Sequence, residues 1–223
     1  MPHITTNSCK AVIFDMDGTV LDTLDELTRS LNHIFAMHQL PPLTAQKVRL
    51  CLGYGYIGLI QRSAPDLTAP EQQTLADEFK QYYSAHCHGN THPYSGIPEL
   101  LSALRQGGYK TAIVSNKGQE AVSLLHQEFF QDLVDFSIGE SPQYRKKPAP
   151  DMIHKALSLL GCSPEQAVYV GDSEVDKQTA DNAGLTSILV TWGFRDEPFL
   201  ESLHPDYLVH SRQELLHIFC PQP

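Results

Sequence analysis

The four apolar residues Ala11-Val12-Ile13-Phe14 run directly into Asp15-Met16-Asp17-Gly18-Thr19, and this junction constrains the chain more than any other segment. A short apolar run closed by a glycine turn reads as a strand covered on both faces, the kind that builds parallel sheets. Open α/β sheets bind ligands just past the C-terminal ends of their strands. Asp15 and Asp17 therefore fall where a charged site is expected. One carboxylate there can attack an electrophile while the other carries protons, with Gly18 letting the backbone turn tightly. The structural alternative is an ordinary Asp-Gly surface turn.

The same punctuation recurs three times. Thr111-Ala112-Ile113-Val114 ends in Ser115-Asn116-Lys117-Gly118, Lys147-Pro148 precedes a helical pattern, and Ala167-Val168-Tyr169-Val170 ends in Gly171-Asp172-Ser173-Glu174-Val175-Asp176. Taken singly, Ser115 and Asp172 read as helix N-caps and Lys147 as a solvated charge beside Arg145 and Lys146. From Ser95 onward strand and helix signals alternate, as a parallel sheet with crossover helices requires. Helices are expected over Ile97 to Gln106, Gln119 to Phe129 and Ala149 to Leu160, the last with Gly161 as its C-cap. Strands are expected over Tyr109 to Val114, Asp135 to Ile138, Ala167 to Val170, Thr186 to Val190 and Tyr207 to Val209.

After the first motif the period changes. Leu24, Leu27, Leu31, Ile34 and Phe35 share a helical face, Thr23 and Glu26 have capping-box spacing, and Pro41-Pro42 stops the helix. Further helical patterns, including the Leu75, Phe79, Tyr82 and Tyr83 stripe, continue to about His86 with no strand between them. The reading is an inserted helical subdomain over residues 22–90, standing over the strand ends of an α/β core made of 1–21 and 91–223.

With 223 residues the chain can bury a sizeable core. The formal net charge of -10 and the lack of any basic run argue against a nucleic-acid partner. They do not argue against a small anion, which responds to local cations and a metal. The five cysteines, Cys9, Cys51, Cys87, Cys162 and Cys220, form no C-x-x-C pair and read as reduced thiols. Met1 to Lys10 has no apolar h-region and no stretch approaches a membrane span, so the expected setting is the cytoplasm, without a membrane partner. The expected assembly is a monomer or homodimer.

In order and context the four motifs resemble those of the haloacid dehalogenase superfamily, most of whose members are magnesium-dependent phosphohydrolases, and the resemblance covers nearly the whole chain. It implies a three-layer, Rossmann-like α/β core with a mainly parallel sheet and a helical cap. It also implies that Asp15 is the nucleophile and a Mg2+ ligand. Asp17 would be the general acid and then the base, its carbonyl also on the metal, and Ser115 with the adjacent backbone would bind the phosphoryl group. Asp172 would complete the protein's share of the magnesium shell, Asp176 would orient a ligand water or Lys147, and Gly18, Thr19 and Asn116 would lie against the substrate. Dehalogenase members lack an acid at the position of Asp17, so its presence favours phosphate chemistry.

The chemistry is reasonable on its own terms. An aspartate approaching a phosphate monoester meets a repulsion of roughly 8 kcal/mol at about 4 Å and an effective dielectric near 20. A magnesium ion and Lys147 would cancel it, and Pro148 keeps Lys147 out of the helical region so that it can point inward.

Leu52-Gly53-Tyr54-Gly55-Tyr56 with Gln61-Arg62-Ser63-Ala64, Asp181-Asn182-Ala183-Gly184 and Thr191-Trp192-Gly193-Phe194 resemble segments of phosphoglycolate phosphatase-like members. The favoured substrate is thus a small phosphorylated metabolite, 2-phosphoglycolate, with Arg62 expected to supply a cation ahead of Arg49 and Lys47. Alternatives are a nucleotide, pyrophosphate or sugar-phosphate phosphatase, a mutase on the same machinery, or a non-enzymatic phospho-accepting switch. His86-Cys87-His88 with His92 matches no standard zinc spacing and reads as a polar hinge.

Overall fold

β1 (Ala11–Phe14) has no solvent exposure anywhere along its length, as its uninterrupted apolar sequence requires. A computed structural model of the chain describes residues 9–219 and sets this strand at the centre of the sheet. The chain continues through β2 (Leu21–Asp22), then α1 (Leu24–Met37), α2 (Ala45–Arg49), α3 (Gly55–Ser63) and α4 (Ala69–His86), and returns by β3 (His92–Pro93). There follow α5 (Ile97–Gln106), β4 (Lys110–Gly118), α6 (Gln119–Phe129), β5 (Phe136–Glu140), α7 (Asp151–Leu160) and β6 (Ala167–Gly171). The last elements are α8 (Glu174–Ala183), β7 (Thr186–Val190), α9 (Glu197–Ser202), β8 (Tyr207–Val209) and α10 (Arg212–Phe219).

Six strands form one sheet in the order β5-β4-β1-β6-β7-β8, and every neighbouring pair is parallel. From β1 the chain builds one side through β4 and β5, then crosses back to build the other through β6, β7 and β8. This reversal at β1 opens a crevice at the C-terminal ends of β1, β4 and β6. Side chains alternate between two cores. Ala11 and Ile13 pack with Met152, Ile153 and Leu157 of α7 and Ala180 of α8, whereas Val12 and Phe14 belong to the cluster that includes α5, α6 and α10. That second cluster runs on without a break into Leu31, Phe35, Leu59, Phe79 and Tyr83 of the inserted helices.

Several local expectations are corrected. The insertion is bounded by a strand pair, since β2 and β3 are antiparallel with Leu21 opposite Pro93. Two residues are too few to carry a period-2 signal. Thr23 and Glu26 do not form a capping box. Glu26 is buried and its carboxylate accepts from Arg29, Ser30 and the Asn90 N–H, while Thr23 Oγ1 is buried without a partner. A tertiary donor from the far end of the insertion has won over the local one, and Asp22 Oδ1 accepts from Leu24 N instead.

β4 runs four residues beyond the expected end at Val114, with a register irregularity between Val114 and Gly118. The segment from His86 to His92 does not converge on a metal. His86 bonds the Tyr82 carbonyl, His88 pairs with Glu128, and the Cys87 thiol is directed to the Ser84 carbonyl. Among the described residues Cys9, Cys51, Cys87 and Cys162 are free thiols, and Cys220 lies outside them. No helix among the described residues is long and apolar enough to cross a membrane.

Candidate active site

Asp15 follows β1 immediately, and its N–H donates to the Val170 carbonyl of β6 at 2.8 Å. The tight turn after it is closed by Gly18 N to Leu21 O and Leu21 N to Met16 O, both at 2.9 Å. Gly18 has φ +82°, and a Cβ there would stand 2.4 Å from Asp172 Oδ2. Gly193 approaches the same carboxylate as closely, at 2.4 Å. Only glycine lets the backbone pass Asp172 on both sides. The Asp172 carboxylate is further held by Phe194 N at 2.6 Å and Thr19 Oγ1 at 3.4 Å.

Lys147, 3% exposed, reaches the site from the turn before α7. Its ammonium lies 2.8 Å from Asp15 Oδ1 and donates to Asp176 Oδ1 and Tyr169 Oη, both at 2.8 Å. Asn116 fixes the Lys147 backbone in both directions. Its carbonyl oxygen accepts from Lys147 N at 2.7 Å, while its amide donates to Lys147 O at 2.9 Å and to Gly53 O at 3.0 Å. Ser115 is buried beside it and its Oγ accepts from Lys117 N.

Asp15, Asp172 and Asp176 bring one carboxylate oxygen each to within 4.8 Å of one another, the one such group among the described residues. Asp176 is nevertheless fully engaged. Its Oδ1 accepts from Lys147 and Tyr169, and its Oδ2 from Asp172 N, Ser173 N and Ser173 Oγ, which caps α8. Asp15 Oδ1, by contrast, meets the Lys147 ammonium alone.

Burial pushes the Asp15 carboxyl up to about 7, with Lys147 opposing the rise and Asp176 and Asp17 adding to it. Burial likewise drives Asp172 well above the usual range, helped by Asp176 and Asp15. Burial would lower Lys147, but Asp15 and Asp176 hold it well above its ordinary value. Buried acids less fully hydrogen-bonded than Asp176 suit a hard divalent cation, and Asp15 and Asp172 are the side chains that fit it.

The crevice encloses a cavity of about 40 Å³. Asp15, Asp17, Ser115, Asn116, Lys147 and Asp172 all line it, with Leu52, Tyr56 and Leu59 closing it from the inserted helices. Gly18 and Thr19 do not line it and instead hold Asp172 from behind. Arg62 is not brought to the site. α3 buries Tyr56, Leu59, Ile60 and Ser63, and the exposed Arg62 guanidinium lies 3.7 Å over the Tyr54 ring. Lys47 is exposed, and Arg49 pairs with Asp196 at 2.7 Å.

Two cations of the cavity wall were not anticipated from sequence. Lys117 lies 3.0 Å from Asp17 Oδ1 and donates to Tyr83 Oη at 2.7 Å. Arg195 bonds both Glu174 oxygens, at 2.7 and 2.9 Å, and donates to the Leu52 and Arg49 carbonyls. Both look like surface residues in sequence, because their burial depends on the inserted helices folding over them.

Residues 12–190 match the family model described as haloacid dehalogenase-like hydrolase. The chain belongs to that family. It is 32% identical over 223 residues to a phosphoglycolate phosphatase of Caulobacter vibrioides, covering 95% of this chain and 94% of that one. It is also 32% identical, over 187 residues and 83% of each chain, to an N-acetylmuramic acid 6-phosphate phosphatase of Pseudomonas aeruginosa. Among solved structures, a proposed phosphoglycolate phosphatase from Lactobacillus delbrueckii subsp. bulgaricus superposes with a TM-score of 0.91 at 35% identity, covering 96% of this chain and 100% of that chain.

Proposed function

We propose that this hydrolase is a magnesium-dependent phosphomonoesterase that releases phosphate from a small phosphorylated metabolite, 2-phosphoglycolate being favoured. The observation that carries the reading is the meeting of the buried carboxylates of Asp15 and Asp172, with the Lys147 ammonium 2.8 Å from Asp15, at three strand ends. Residues 22–90 are read as the cap over an α/β core of 1–21 and 91–223.

In this reading Asp15 attacks phosphorus, the phosphorus–ester oxygen bond breaks, and Asp17 gives its proton to the departing alkoxide. Asp17, now a carboxylate, takes a proton from water as that water attacks the phosphorus. The Asp15–phosphorus bond breaks and inorganic phosphate leaves. Lys147 neutralises charge on the transferring group and Asp176 keeps its ammonium directed there. Ser115 holds a phosphoryl oxygen. A magnesium ion held by Asp15, Asp172 and the Asp17 carbonyl would supply the remaining positive charge. Asn116, through the Lys147 backbone, is a positioning residue.

The cavity of about 40 Å³ is smaller than any phosphorylated metabolite, so the inserted helices must move to admit one, and the preference for 2-phosphoglycolate is supported by the relatives named phosphoglycolate phosphatase. A panel comprising 2-phosphoglycolate, a sugar phosphate, a nucleotide and pyrophosphate, assayed for phosphate release with magnesium, tests the reading. The fastest release is expected from 2-phosphoglycolate, stopping reversibly on chelation. Release that persists in excess chelator would contradict the mechanism.

A further inference from the structure

Lys117 stands out among the cations of the cavity because its charge is buried and incompletely used. Its side chain is 1% exposed. An ammonium has three protons to donate, yet its one aligned hydrogen bond is to Tyr83 Oη at 2.7 Å. Its second partner is Asp17 Oδ1, in an ion pair at 3.0 Å, so one of the three protons is left without a partner. The other two cations differ. Lys147 is directed at Asp15, Asp176 and Tyr169, and Arg195 at Glu174 and two carbonyls. Buried donors left unspent are expensive, and in a cavity they indicate a ligand acceptor.

A second unspent donor lines the same cavity. Tyr56 of α3 is 8% exposed, and its hydroxyl has no acceptor. The Tyr56 hydroxyl lies close to Gly118, the residue that follows Lys117, since a Cβ on Gly118 would be 3.4 Å from it. Burial keeps the phenol protonated by pushing it above its ordinary value. Apolar side chains, Leu27, Leu52 and Leu59, make up much of the remaining wall on the inserted-helix side.

We propose that Lys117 and Tyr56 form the subsite for a carboxylate on the substrate's leaving alcohol, selecting short phosphorylated hydroxy acids over phosphomonoesters of uncharged alcohols of similar size. The assignment rests on the phosphomonoesterase reading above. It moves the specificity cation from the exposed face of α3 to the end of β4.

The test compares kcat/KM for 2-phosphoglycolate with that for ethyl phosphate, whose leaving alcohol has no charge. Wild type is expected to favour 2-phosphoglycolate. In Lys117→Met that preference should fall about 30-fold, the scale of a charged hydrogen bond, and mainly through KM. Lys117→Gln, which keeps a donor for Tyr83 and so guards against misfolding, should show a fall of the same order. Tyr56→Phe should lower the preference about fivefold.

A preference left unchanged in both Lys117 variants would overturn the assignment, since equal losses on the two esters are what positioning of Asp17 alone produces. A wild type that hydrolyses both esters without preference would overturn it with no variant needed. A wild type that releases phosphate from neither would overturn the phosphomonoesterase reading, and the subsite with it.

Discussion

Asp176 Oδ1 lies 2.8 Å from Lys147 Nζ while Asp176 Oδ2 accepts the Asp172 N–H, so one carboxylate orders both the cation and the second acid of the site. The same oxygen receives Ser173 N and Ser173 Oγ at the start of α8. Fold and site thus share a single buried acid.

Asp176→Ala should therefore destabilise the protein by about 3–5 kcal/mol, the range for breaking a buried ion pair from one side. Urea denaturation reads this directly. Asp176→Asn retains an acceptor and should be milder in stability while still lowering kcat, because Lys147 loses its counter-charge. Unchanged denaturation midpoints in both variants would contradict this.

Metal binding should depend on pH in one direction. With Asp15 raised to about 7, the metal-free protein holds a proton on that carboxyl below neutrality, and the cation must displace it. Magnesium affinity should accordingly rise with pH, by up to about tenfold per unit for each proton displaced, with Asp172, also raised by burial, contributing alongside Asp15. Calorimetric titrations in two buffers of different ionisation enthalpy would detect the released proton.

Arg195 joins the core to the inserted helices through Glu174 and the Leu52 and Arg49 carbonyls. Arg195→Met should lower Tm, at about 2–4 °C per kcal/mol for a chain of this size. Burial raises Glu174, but hydrogen bonds from Arg195 and Tyr54 outweigh it and leave the carboxyl below its ordinary 4.5. A depressed carboxylate contributes its stability above the unfolded value and loses it as pH falls through the folded one. The Tm difference between wild type and variant should thus be full above about pH 5 and shrink at more acidic pH. A pH-independent difference would show that the ion pair is not its source.

How much was legible in the sequence follows from which signals are local. Asp15 and Asp172 could be read because an apolar run ending in an acid marks a parallel strand opening on a crevice, and both lie there. Helix bounds at Ile97–Gln106 and Gln119–Phe129 match because periodicity and end signals agree. Lys117 could not be read: a lysine after Ser-Asn looks solvated until Tyr83, 34 residues earlier, folds over it. Arg62 failed for the converse reason, since a helical arginine gives no local sign of which way its face turns. Thr23 and Glu26 have the spacing of a local cap, yet the Asn90 N–H, 64 residues away, claims the glutamate.

The most direct test of the account is acid quenching of the enzyme during turnover of 2-phosphoglycolate with magnesium, followed by mass spectrometry of the peptide that carries Asp15. A phosphorylated Asp15 in wild type and none in Asp15→Asn, whose turnover falls roughly 10⁴-fold while its fold persists, is the predicted result. Steady phosphate release with no adduct on Asp15, or an Asp15→Asn variant that keeps turning over, would contradict it.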